Sequence, residues 1–384
     1  MDQLSKFQVV YGRSTLHFNL ISFPLCFFVF FLLLLKLFRG SKKITNFPPS
    51  PPKLPIIGNL HQLAALPHQS LAALSKIYGP LMFLKLGQNP TLVVSSPKMA
   101  REIMKTHDLK FSNRPQTTAG KFLLYGCQDM AFSQYGEYWR QAKKMCVLEL
   151  LSAKRVESFQ YVRDEEVGLL IDRIRKSCDV VCGDECVNLK QIFGSTSTNI
   201  ISRCVLGEKF EDENGKNRGF IRELKTTSRI LDGFFDKVIE EHRTKMSVGK
   251  SDDEKDFVDI MLQLQQDDMF DYHDFSLDSL KAILLDMFVG GTDTTAASLE
   301  WAMTELLRKP AAMKKVQEEI RTIVGNKPKI EMEDFKKMKY MQYVIKETLR
   351  LHPPAPFLLP RESVGDVEIE GYHIPSKTRV VVNV

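Results

Sequence analysis

Acidic side chains are almost missing from the first quarter of this 384-residue sequence. Asp2 and Glu102 have no acidic residue between them, whereas residues 1–101 hold eleven Lys and Arg. The net charge of +6 therefore combines a basic front with a remainder of 42 basic against 46 acidic residues. A basic patch suits nucleic acid or an anionic membrane, and the neighbouring sequence must decide. Cysteine is scarce: Cys26, Cys127, Cys146, Cys178, Cys182, Cys186 and Cys204 make an odd count, and none follows Cys204. This argues against a disulfide-stapled secreted scaffold. With 21 Gly and 18 Pro the chain is not collagen-like, and 43% hydrophobic against 26% charged residues excludes wholesale disorder. G-x-S-x-G is absent, which leaves a membrane-anchored hydrolase without support. No internal repeat is visible.

One long uncharged run settles the meaning of the basic front. Residues 18–35 read FNLISFPLCFFVFFLLLL. As a helix they rise about 27 Å, close to the hydrocarbon thickness of a bilayer, and snorkelling of Lys36 carries the span to Phe38. A cleaved signal peptide is the alternative, but no small-x-small pattern adjoins Leu35 and Lys36. Arg39, Lys42 and Lys43 follow at once, which orients the body to the cytosol, against an anionic leaflet. The expected organisation is an anchor with its flank over 1–40, a proline hinge over 41–60 and one folded body over 61–384. In the hinge, Pro48, Pro49, Pro51, Pro52 and Pro55 fix φ and remove donors, so it reads as a stiff extended spacer and not as an SH3-type ligand.

Strand-like runs at 81–86 and 91–95 flank the turn Gly87-Gln88-Asn89-Pro90 and predict a hairpin. Helical patterns cover 98–106, 138–148 and 155–176, and strand signals return only near 367–369 and 378–384. The fold class is mainly α with a small β region, an α+β minority. EDENGKNRG at 211–219 lacks EF-hand spacing and reads as a solvated loop.

Three segments carry chemistry. Asp278 can cap a helix that starts at Ser279 and runs some 30 residues to the stop at Lys309-Pro310. Its apolar course is broken by Gly290-Gly291-Thr292-Asp293-Thr294-Thr295, where two glycines cost about 1 kcal/mol each. That segment is either a groove against which something lies, with Asp293 and hydroxyls as a proton path, or a turn joining two shorter helices. Glu347 and Arg350, at i and i+3, share a helix face before the proline-stiffened stretch that begins at Pro353. Trp139 and Lys143, at i and i+4, can both donate to an anion, and an ordinary basic helix face is the plainer reading.

Taken in order, the anchor, the hinge, FSNRP (111–115), YWRQAKK (138–144), GGTDTT (290–295) and KETLRLHPPAP (346–356) resemble a microsomal plant cytochrome P450 across essentially the whole chain. The resemblance implies the fold of that family and a haem-dependent monooxygenase acting on a small lipophilic terpenoid, phenylpropanoid or alkaloid. O2 would be the oxidant, and electrons would come from NADPH through a reductase at the endoplasmic reticulum membrane. It implies that Trp139, Arg140, Lys143 and Arg361 meet the propionates of haem b. Gly290, Gly291, Asp293 and Thr294 would form the oxygen groove, with Asp293 and Thr294 moving protons. Glu347 and Arg350 would be structural, and 118–130, 284–288 and 355–359 would frame substrate.

The family's axial cysteine lies in F-x-x-G-x-R-x-C-x-G beyond the E-x-x-R helix, and no such pattern occurs here. A metal ligand is therefore not among these residues. The apolar end Val380-Val381-Val382-Asn383-Val384 reads as an edge strand left by a cut inside the domain. The stretch 222–231 is shorter than the family's usual roof over the pocket. The expectation is an incomplete copy of a monooxygenase, with a non-catalytic membrane-tethered chain as the alternative.

Overall fold

The five hinge prolines hold the chain extended, and that extended chain lies along the first strand of the body. The computed structural model describes residues 28–29, 31, 46–180, 187–209, 228–245, 254–266 and 275–384. The expected loop at 211–219, most of 222–231 and nearly all of the expected anchor lie outside the described residues. Phe28, Val29 and Phe31 are helical and exposed. Among the described residues no helix is long and apolar enough to cross a membrane. The chain divides into two units, Met1–Asn46 and Phe47–Val384.

Phe83 N donates to Pro49 O (3.0 Å), and the Phe47 ring stacks on Phe83 with centroids 5.1 Å apart. Buried Asn59 accepts from Lys85 N at 2.8 Å and donates to Pro51 O at 3.3 Å. Gly58 stands at φ +62°, and a Cβ there would run into the Lys85 carbonyl, so only glycine serves at this crossing. The hinge is thus stitched to the body from Phe47 onward.

The first helix, α1 (Pro67–Tyr78), precedes β1 (Leu81–Leu86) and β2 (Asn89–Val94), which form the expected hairpin. Next come α2 (Pro97–Arg101), α3 (Thr118–Leu123), α4 (Glu137–Met145), α5 (Ala153–Ser158), α6 (Gln160–Val180), α7 (Leu189–Leu206), α8 (Ser228–Lys245) and α9 (Phe257–Gln266). Helices α2 and α4 each run on into a π-type turn, at Glu102–Thr106 and Cys146–Leu150. The long apolar pattern folds as α10 (Leu277–Gly291) and α11 (Asp293–Arg308), followed by α12 (Pro310–Val324), α13 (Met332–Lys337) and α14 (Lys339–Leu351). Four short strands close the described chain, β3 (Arg361–Glu362), β4 (Val367–Ile369), β5 (Tyr372–Ile374) and β6 (Arg379–Val382).

The four-stranded sheet runs β1-β2-β6-β3, with β2 and β6 parallel and the other pairs antiparallel. Here the structure corrects the sequence reading. β6 is an inner strand, paired through Val93↔Val381 on one side and Arg361↔Val380 on the other. Its valines are apolar because two of them, Val380 and Val382, are buried in the sheet core. The cap of α10 is also different. Ser276 Oγ accepts from Ser279 N (3.2 Å), while Asp278 lies inside the first turn, where its charge suits the helix N-terminus.

The main core joins α4, α7, α8, α9 and α10 around Met145, Leu206, Phe235, Met261 and Phe288, all essentially inaccessible to water. Two polar clasps fasten α8. Buried Lys281 of α10 reaches Asp232 (2.6 Å) and Asp236 (2.5 Å), one turn apart on α8. Removing one partner from a buried ion pair leaves an uncompensated charge, so Asp232→Ala with Asp236→Ala should cost about 3 kcal/mol or more. Lys281→Met, which removes the charge and keeps the packing, should cost less. Urea unfolding of the three proteins checks the order, and a milder loss in the aspartate variant would refute the clasp.

The second clasp is His242. Its Nδ1 faces the Val238 carbonyl (2.8 Å) and its Nε2 faces Asp256 (2.9 Å). Both are acceptors, so both nitrogens must donate and the ring is an imidazolium. Burial opposes the charge, but the Asp256 hydrogen bond and charge outweigh it and raise the pKa above 6.5. The clasp is therefore fully present below the unfolded-state pKa and is lost as pH rises through the raised folded value. Across a series from about pH 6 to about 9, His242→Leu should remove this decline in unfolding free energy. An unchanged decline would mean that His242 is not its source.

Candidate active site

The break between α10 and α11 is a single residue, Thr292, at φ −87° and ψ −72°. Hydroxyl groups gather on the carbonyls around it. Thr292 Oγ1 donates to Phe288 O (2.7 Å), Thr294 Oγ1 to Gly290 O (2.6 Å), and Ser197 Oγ of α7 to Gly291 O (3.1 Å) and Thr292 O (3.0 Å). Side chains that bond back to helix carbonyls bend helices. The sequence left a groove and a turn as alternatives; the structure has a kinked long helix that keeps both halves.

The two glycines face different surroundings. A Cβ at Gly291 would collide with Ile201 of α7, so this glycine lets two helices close. Nothing lies within 4 Å of a Cβ at Gly290, which leaves that backbone open. Asp293 and Thr292 line an apolar cavity of about 370 Å³, walled by Leu285 and Phe288 of α10 and by Ala119, Gly120, Leu123 and Leu124 of the α3 segment. Two of the three expected substrate segments, 118–130 and 284–288, thus meet there, whereas 355–359 contributes no lining residue. Gly290 and Gly291 line a second void of about 430 Å³ together with Asp286.

The remaining sequence-selected residues lie outside both linings. Trp139 Nε1 donates to Met130 O (3.0 Å), and Lys143 Nζ sits 4.7 Å from the Trp139 ring centroid. Arg140 pairs with Glu137 (2.6 Å). Arg361, mostly buried, bonds Asp108 (2.6 Å) and the Phe111 carbonyl (3.3 Å). Arg350 and Glu347 form an exposed two-point pair, 2.7 Å at each contact. Near them, the end of α14 is held against α11 by His352, which stacks on Trp301 (3.8 Å, 4°) and bonds Glu305 (3.1 Å).

Arg114 belongs to the FSNRP motif and has a place at the site as well. It bonds the carbonyls of Leu359 (3.1 Å) and Pro360 (2.9 Å). Burial first, and then the charge of Arg361, lower its pKa. Two guanidiniums close enough to disfavour one another mark a place where an anion is welcome. Only the fold brings 114 and 361 together, so the signal was the motif alone. Three buried cysteines are held as thiols: burial raises Cys127, pushes Cys146 up to about 12 and Cys204 up to about 11.

The fold sets a kinked long helix beside an apolar cavity and adds a small mixed sheet. A zebra fish cytochrome P450 solved with abiraterone is similar at TM-score 0.72 and 25% identity, over 83% of this chain and 78% of that one. The chain belongs to the cytochrome P450 family, whose model matches residues 48–232 and 217–384. The two matched stretches overlap at 217–232. Similar curated relatives are plant monooxygenases and other plant members of this oxidoreductase family. A phenylacetaldehyde oxime monooxygenase of Prunus mume is 47% identical over 96% of this chain and 76% of its own length. Cytochrome P450 71A1 of Persea americana is 47% identical over 85% of this chain and 71% of its own.

The asymmetry of the glycines is testable. Gly290→Ala, with open space and better helix propensity, should stabilise the chain by up to about 1 kcal/mol. Gly291→Ala should destabilise it by about 1–3 kcal/mol through contact with Ile201. Thermal unfolding compares them, and equal effects would contradict the assigned surroundings.

Proposed function

We propose that this chain is a haem-dependent monooxygenase inserting one oxygen atom from O2 into a small lipophilic plant metabolite of terpenoid, phenylpropanoid or alkaloid type. Electrons come from NADPH through a reductase, and the N-terminal run 18–35 with its basic flank anchors the body at the endoplasmic reticulum membrane. The observation that carries the reading is the open backbone of Gly290 in the hydroxyl-rich kink, beside an apolar cavity of about 370 Å³. The Prunus mume relative is named for an aryl-substituted oxime, and compact lipophilic molecules of that kind suit such a cavity.

The residues present fit one face and the acid groups of haem b. Gly290 leaves room for a flat macrocycle. Arg114 and Arg361 would hold propionates by charge-assisted bonds, whereas Trp139 and Arg140 are engaged with Met130 O and Glu137 and would reach a propionate only by giving up those contacts. The F-x-x-G-x-R-x-C-x-G pattern that would supply a thiolate ligand does not occur in these 384 residues. Haem, when bound, supplies the redox chemistry of dioxygen activation.

The chain's own groups then have limited, definite tasks. Leu285, Phe288 and Leu124 exclude water and orient an apolar substrate. Thr294 donates its hydroxyl proton to Gly290 O, which leaves its oxygen lone pairs free to accept a proton. Asp293 is exposed and one residue away, placed to exchange that proton with solvent. Glu347 and Arg350 brace the end of α14.

Haem titration of the purified chain tests the reading. One equivalent should bind, without the thiolate-type Soret shift under carbon monoxide. Arg114→Ala with Arg361→Ala should weaken uptake by about tenfold or more. Absence of uptake by the unaltered chain would contradict the proposal, and equal uptake by the double variant would remove the propionate assignment.

A further inference from the structure

Two carboxyl groups meet behind the cavity wall. Asp286 Oδ2 on α10 accepts from Met130 N (2.7 Å) and Ala131 N (3.2 Å). Asp129 is fully buried, and its Oδ2 accepts from Phe132 N (2.8 Å). Its other oxygen, Oδ1, is also buried and meets no N–H or O–H donor of another residue among the described residues. Both carboxyls thus bind main-chain amides of the same turn, at Met130, Ala131 and Phe132, which sets them side by side. Two carboxylates are both acceptors and repel one another, so neighbouring buried carboxyls favour a state in which one of them carries a proton.

We propose that Asp129 and Asp286 hold one proton between them, and that this shared proton latches the 129–132 turn onto the long helix. The turn matters to the site. Phe132 lines the cavity, and the Met130 carbonyl takes the Trp139 indole N–H. Asp286 also lines the void that contains Gly290 and Gly291. The pair thus positions one wall of the cavity against the kink, and it does so on geometry that is independent of the monooxygenase reading.

The surroundings keep the proton in place. Burial and the neighbouring Asp129 charge push Asp286 up to about 7. Cys146 and Tyr138 face the pair, and both are pushed up to about 12, first by burial, so they stay neutral. Cys127, whose thiol is likewise raised by burial, adds no charge. Arg114 is a cation on the Asp129 side, and Arg163 lines the same void as Asp286. When the proton leaves, two buried negative charges face one another and the latch opens.

The test compares the full chain with Asp286→Asn and Asp129→Asn. Each amide supplies a permanent N–H where the acid has its proton, so each variant should fold. Between the ordinary carboxyl value of 3.8 and about 7, the folded state holds a proton that the unfolded state has lost. Stability of the unaltered chain should therefore fall with pH, relative to the variants, by up to about tenfold in folding constant per pH unit. Hydrogen exchange at Met130 and Ala131 should lose protection above about pH 7 in the unaltered chain, while in the variants it should follow only the intrinsic base-catalysed trend. Identical pH profiles in all three proteins would overturn the proposal, as would failure of both amide variants to fold.

Discussion

Everything at the site depends on a helix that is not allowed to be straight. Four hydroxyl-to-carbonyl hydrogen bonds, from Thr292, Thr294 and Ser197, fall on four carbonyls of the α10–α11 junction, those of Phe288, Gly290, Gly291 and Thr292. Each takes a carbonyl that an unbroken helix would offer only to its own amides. Ser197 matters most, because it belongs to α7 and ties the kink to a second element. Ile201, one helical turn later on α7, fills the space beside Gly291 and makes the close approach possible. Gly290 is left open on the surface that results.

The rest of the body supports that junction from several sides. Lys281 fastens α10 to α8 below the kink, and His352 with Trp301 fastens α11 to α14 above it. The small sheet contributes from the far end of the sequence. β3 carries Arg361 and pairs with β6, while the main-chain bond from Glu362 N to Asn113 O (2.8 Å) draws the 113–117 segment alongside. That bond sets Arg114 beside Arg361 and brings Thr117 to the cavity.

What the sequence made legible was local. The hairpin followed from two β-rich runs around a Gly-Pro-bearing turn, and α14 ended where Pro353 required it. The GGTDTT segment stood out because glycine and threonine are expensive inside an apolar helix, and that expense coincides with the kink. What stayed hidden was non-local. β3 and β5 are two and three residues long, too short for periodicity to show. β6 looked like an edge because its partners β2 and β3 lie elsewhere in the chain. Residue type alone favours Asp278 as the α10 cap, although Ser276 has the hydrogen bond. Neither the Arg114–Arg361 neighbourhood nor the Asp129–Asp286 pair leaves any local pattern. The family resemblance implies roles for single residues but none of these pairings.

The account stands on the kink, so the decisive measurement is an experimental structure of the chain beside that of the Ser197→Ala variant, at a resolution that shows main-chain carbonyls. We predict that the unaltered chain breaks at Thr292, with the Ser197 hydroxyl on the Gly291 and Thr292 carbonyls, and that the variant relaxes toward a straighter α10–α11. A straight, uninterrupted helix through Thr292 in the unaltered chain, or the same kink in both, would contradict it.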